Sequence, residues 1–66
     1  MRIIVNGKDE IVEKGMTIAK LIALKKINPS SVIIEYNQTL AKRKTWDNII
    51  LKENDSLEIL RFVGGG

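Results

Sequence analysis

The residues of this chain that could do chemistry gather at one end. It closes on Leu60-Arg61-Phe62-Val63-Gly64-Gly65-Gly66, which leaves the α-carboxylate of Gly66 as the last reactive group. A Cβ close to that group would widen the tail and restrict its φ, so Gly64 and Gly65 suit insertion into a narrow site. Elsewhere the usual chemical equipment is missing. With no histidine and no cysteine, the chain lacks the commonest general base at neutral pH and the thiolate that attacks carbonyls or binds soft metals. No glycine-rich loop leads into a helix as a phosphate cradle does. We therefore expect no catalytic constellation, no metal site and no cofactor bound by the chain itself, and a persulfide on it is excluded.

What must position the tail is small. Sixty-six residues make one domain, near the size limit at which a core supplies only about 3–5 kcal/mol. A hydrophobic share of 44% beside 29% charged residues reads as a folded globular chain rather than a disordered one. The longest apolar runs are too short to cross a bilayer, and Met1 to Lys8 has no signal-peptide character, so a cytoplasmic address and no membrane contact are expected. The net charge is +3, but acidic residues are scattered among the basic ones. Lys42-Arg43-Lys44 is the one basic run, with Lys25-Lys26 as a lesser pair. A solvated loop is the first reading of the run and an interface for an acidic partner the second. No aromatic platform lies beside it for nucleic acid.

The periodicities give α+β. Arg2 to Val5 is a strand that runs into Asn6-Gly7, the strongest short hairpin signal, and Glu10 to Glu13 is the expected return. Thr17 offers an N-cap, and Ile18, Leu21, Ile22, Leu24 and Ile27 predict a helix over 18–27 that Asn28-Pro29 ends. Val32 to Tyr36 alternates as a strand, and Asn37-Gln38-Thr39 is a turn. A short strand at Thr39 to Ala41 and a helical turn near Trp46 follow. Glu53-Asn54-Asp55 turns the chain into a last strand, Leu57 to Phe62. We read Asn6-Gly7 and Asn54-Asp55 as turns and no more, and Trp46 as packing at a sheet edge, with a partner contact as the alternative.

Together these residues resemble the ThiS group of small sulfur carriers. The resemblance rests on MRIIVNGK, Gly15-x-Thr17, Tyr36-Asn37-Gln38, Arg43-x-x-Trp46, NDSLEIL and the terminal Gly65-Gly66, and it runs the length of the chain. Asn54 stands where the group often has glycine, Lys42 replaces a frequent proline, the KRK run is unusually basic, and Gly64 adds a third glycine. The resemblance implies a ubiquitin-like β-grasp: a mixed sheet of four to five strands, one main helix across one face, a domain over 1–62 and a flexible glycine tail over 63–66. It also implies a role. A separate ThiF/MoeB-like enzyme, handling ATP and Mg²⁺, would adenylate Gly66, and a sulfur donor such as a cysteine desulfurase would turn it into a thiocarboxylate. Thiazole synthase, which builds the thiazole of thiamine, would accept the sulfur.

Strand alternation supplies a docking face. If Ile3, Val5, Val32, Ile34, Leu57 and Ile59 meet the helix, then Ile4, Ile33, Leu60 and Phe62 point the other way. An apolar patch on an uncovered sheet often marks a partner surface, and Phe62 stands just before the tail; the alternative is an edge patch partly covered by the tail or by the polar, mixed segment from Leu40 to Ile50. Arg43 is a further candidate contact, with a solvated arginine as the alternative. The free chain is expected to be a monomer. Related diglycine carriers serve molybdopterin synthesis, cysteine synthesis and tRNA thiolation. A ubiquitin-like protein modifier and a plain interaction module stay open beside them.

Overall fold

A computed structural model describes residues 1–62 of the chain. The tail expected over 63–66, with Gly64, Gly65 and Gly66, lies outside the described residues.

The chain opens with a hairpin because Asn6 and Gly7 both adopt positive φ, at 51° and 80°. That is the primed turn whose twist matches paired strands. A two-residue loop lets the return strand start at once. Strand β1 (Arg2–Val5) therefore pairs antiparallel with β2 (Lys8–Ile11), Val5 opposite Lys8. The sequence placed β2 two residues later, drawn by the apolar Ile11 and Val12. Val12 is buried, but it continues the ladder against Met1, its N–H donating to the Met1 carbonyl at 2.8 Å.

Helix α1 (Ile18–Leu24) starts where expected: the Thr17 hydroxyl accepts from the Lys20 N–H at 3.1 Å. It ends earlier than expected. Lys26 turns left-handed (φ 59°), its N–H reaching the Ala23 carbonyl at 3.0 Å, while the Ile27 N–H reaches Ile22 at 3.1 Å. These two bonds are a Schellman cap. Ile27 thus packs against the core as the residue after the cap, not as a further helical turn. Ile18, Leu21 and Ile22 carry the buried stripe. Leu24 does not belong to it: at about 100° per residue it falls well off the stripe, and it is 66% exposed. Asn28 does not terminate α1; its side chain caps the short 3-10 turn Pro29–Ser31.

Strand β3 (Val32–Tyr36) and β4 (Thr39–Ala41) are joined by a second primed turn at Asn37 and Gln38, with φ of 49° and 72°. A 3-10 turn, Arg43–Thr45, leads to Trp46, whose indole N–H donates to the Ala41 carbonyl at 2.8 Å inside the core. The last strand, β5 (Ser56–Arg61), begins one residue before and ends one residue before the expected range.

The sheet order is β2-β1-β5-β3-β4. β5 runs parallel to β1 and antiparallel to β3, so the first and last strands lie side by side in the middle. Ile3, Ile18, Ile22, Ile34 and Leu57 are the largest fully buried side chains, gathered between sheet and helix. Each is worth about 1.5–3 kcal/mol of burial. One mixed sheet of five strands grasping one helix is the expected β-grasp.

Candidate functional site

The face of the sheet turned away from α1 is built by alternation. Leu57 is fully buried, so Glu58 and Leu60 point outward, and Ile34 sends Ile33 and Glu35 the same way. Ile33 and Leu60 are direct partners across β3 and β5. Leu60 is 45% exposed and Phe62 59%, while Ile33 and Ile4 are half-buried. Ile59 packs against the core, half-buried as its register requires. The Phe62 N–H donates to the Ser31 carbonyl at 3.0 Å, which carries the last strand's pairing to the edge of the tail.

One apolar member of this face was missed in the sequence. Leu40, 59% exposed, stands opposite Glu35. The short strand expected at Thr39 to Ala41 already held it, and its alternation with Ala41 was a usable signal. Arg43 follows at the β4 side, where Ile33, Leu40, Lys42, Arg43, Trp46 and Phe62 line one open cleft of about 180 Å³. The structure thus brings Ile33, Phe62 and Arg43 together. Ile4 lies across the sheet on β1, at the level of Ser56.

Two turns read as turns and no more do further work. Asp55 is buried and takes a hydrogen bond from the Tyr36 hydroxyl at 2.6 Å, from the Lys52 N–H at 2.7 Å and from the Asn37 amide at 3.2 Å. Burial pushes its carboxyl up, but these three donors and the Lys52 charge outweigh it and leave the pKa below the usual 3.8. Burial, with the Asp55 carboxylate beside it, raises the Tyr36 phenol. Asn6, in the first hairpin, bonds through its side chain to both backbone groups of Ile59. The work of both clusters is to hold β5 and the turn before it.

Among the described residues no group of histidine, cysteine, aspartate or glutamate is arranged to hold a metal. No described helix is long and apolar enough to cross a membrane.

A β-grasp domain of the ubiquitin type, with an apolar outward face running into its last strand, is the class that this geometry defines. The chain belongs to the ThiS family, whose model matches residues 1–66. It is 36% identical over 62 residues to the sulfur carrier protein ThiS of Bacillus subtilis, covering 92% of this chain and 94% of that one. A thiazole synthase of Magnetococcus marinus is 33% identical over 66 residues, all of this chain but 20% of that protein. This chain therefore spans about a fifth of that relative's length. Among solved structures, a crystal structure of thiamine biosynthesis protein ThiS from Geobacter metallireducens superposes with a TM-score of 0.84 at 33% identity, covering 100% of both chains.

Proposed function

We propose that this chain is a sulfur carrier of thiamine biosynthesis that holds sulfur as a thiocarboxylate on Gly66. The observation that supports this best is the ThiS-family match along residues 1–66, joined by the close relative in Bacillus subtilis that bears the name of sulfur carrier.

The chemistry follows from what a carboxylate lacks. Its oxygen is a poor leaving group, so a partner must first make it one. In this reading an adenylating enzyme joins the Gly66 carboxylate to AMP and releases pyrophosphate from ATP. Charge stabilisation and Mg²⁺ belong to that enzyme. The outer sulfur of a donor persulfide, such as one carried by a cysteine desulfurase, then displaces AMP to give an acyl disulfide, and a thiol reduces that bond to free the thiocarboxylate and leave a disulfide on the donor. Thiazole synthase receives the sulfur, a partner suggested by the relative of that name whose sequence includes a counterpart of this chain. The work is cytoplasmic, and the carrier contributes shape and a reactive end, not catalytic groups.

The test is intact mass spectrometry after incubation with the adenylating enzyme, ATP and a sulfur donor. Replacement of one oxygen by sulfur, lost on deleting Gly66, is the expected result. A chain left unmodified by an enzyme that thiolates another carrier sinks the reading.

A further inference from the structure

Two charge features of the outward face are unrelieved. Glu35 and Glu58 stand directly opposite each other on β3 and β5, an arrangement in which like charges repel. Lys42, Arg43 and Lys44 are consecutive and all exposed at the β4 side. The ion pairs among the described residues, Arg2 with Asp9 and Lys25 with Glu10, involve none of these five. Apolar side chains lie between and beside them: Ile33 pairs with Leu60, Leu40 stands opposite Glu35, and Lys42 and Arg43 share a cleft with Ile33, Leu40 and Phe62.

We propose that this face is electrically polarised to accept thiazole synthase in one orientation. The enzyme would set an apolar patch on Ile33, Leu40, Leu60 and Phe62, acidic groups against Lys42, Arg43 and Lys44, and a cation against Glu35 and Glu58. The proposal rests on the sulfur-carrier reading, because it takes the tail to be the cargo end. The choice of occupant follows from the thiazole synthase in which a counterpart of this chain is 20% of the protein. Reach adds to it: four residues beyond Phe62 extend at most about 14 Å, so an enzyme that uses Gly66 must open its site close to this face. Turning that enzyme by half a circle sets like charge on like charge, so the polarity selects the pose that points the tail inward. The internal repulsions of the free chain are then relieved on docking.

Titration calorimetry of purified thiazole synthase against the full chain, at low and high salt, tests this. Lys42→Glu with Lys44→Glu is expected to weaken binding by about tenfold or more at low salt, the gap narrowing as salt rises. Glu58→Gln is expected to raise the melting temperature slightly, by ending the repulsion with Glu35, while lowering affinity. A merely structural glutamate would move both in the same direction. Equal affinities for all variants overturn the polarised face and leave the carrier reading standing, provided the wild-type chain gains its thiocarboxylate. Failure of a thiocarboxylated wild-type chain to bind overturns the docking alone. A loss confined to the adenylating enzyme overturns the occupant, and a wild-type chain neither thiolated nor bound overturns both readings.

Discussion

The Asn6 side chain is a strand's worth of pairing for Ile59. Its Oδ1 accepts from the Ile59 N–H at 2.7 Å and its Nδ2 donates to the Ile59 carbonyl at 3.4 Å. The backbone of β1 ends at Val5, and these bonds carry its grip on β5 one step further toward Phe62.

Asn6→Gly isolates that grip, because glycine keeps the positive φ of the turn and removes only the amide. We expect a loss of about 1–2 kcal/mol in urea unfolding, with faster hydrogen exchange at Ile59. Unchanged exchange there would mean that the backbone ladder alone holds this end of β5.

Asp55→Ala leaves the Tyr36 hydroxyl and the Lys52 N–H without their acceptor, so about 2 kcal/mol should be lost at neutral pH. The pH dependence has a definite sign. A carboxyl whose folded pKa lies below 3.8 contributes stability above that value and loses it as pH falls through the lower folded value. Urea midpoints of wild type and variant should therefore converge below about pH 4. A gap that stays constant into acid would show that the charge of Asp55 is not what counts.

Leu60→Glu and Ile59→Glu separate the two faces of β5. Leu60 is 45% exposed, so a glutamate there should change stability by no more than about 0.5 kcal/mol and weaken enzyme binding by burying an unpaired carboxylate. Ile59 packs against the core, and its replacement should cost about 1–3 kcal/mol. Thermal melts beside binding isotherms read both, and a reversed pattern would place the docking face on the wrong side of the sheet.

Gly65→Val tests the narrow-channel argument for the tail. A branched side chain next to Gly66 restricts φ and adds width, so adenylation should fall to background while Gly64→Ala stays much closer to wild type. ATP–pyrophosphate exchange with the activating enzyme measures this, with melting temperature as the control. Normal exchange by Gly65→Val defeats the argument.

The strands and the outward face were legible because alternation is local. Ile33 against Ile34, and Leu60 against Leu57, need only a period of two and one known core residue. The helix end was not legible, because Ile27 fits the stripe of α1 whether it sits in the helix or just after its cap. Only the left-handed Lys26 decides, and nothing about lysine announces a positive φ. Asp55 and Asn6 were underestimated for a related reason. Their partners, Tyr36 and Ile59, lie 19 and 53 residues away, and turn chemistry alone explains why asparagine and aspartate stand there. The opposition of Glu35 and Glu58 was equally out of reach, since it depends on the register of two strands far apart in sequence.

The side-by-side placement of β1 and β5 bears on how the molecule is made. Val5 pairs with Leu57, so the centre of the sheet joins two strands that the rest of the fold separates in sequence. Contacts of such long sequence separation form only after the chain between them is available. Until Leu57 arrives, the helix has half a sheet to lie on, and its apolar stripe stays open to chaperones and proteases. A nascent chain broken off before β5 lacks the strand that Ile34 and Val5 pack beside. A chain cut short before β5 is therefore expected to fall to proteases sooner than one in which Leu57 has taken its place beside Val5.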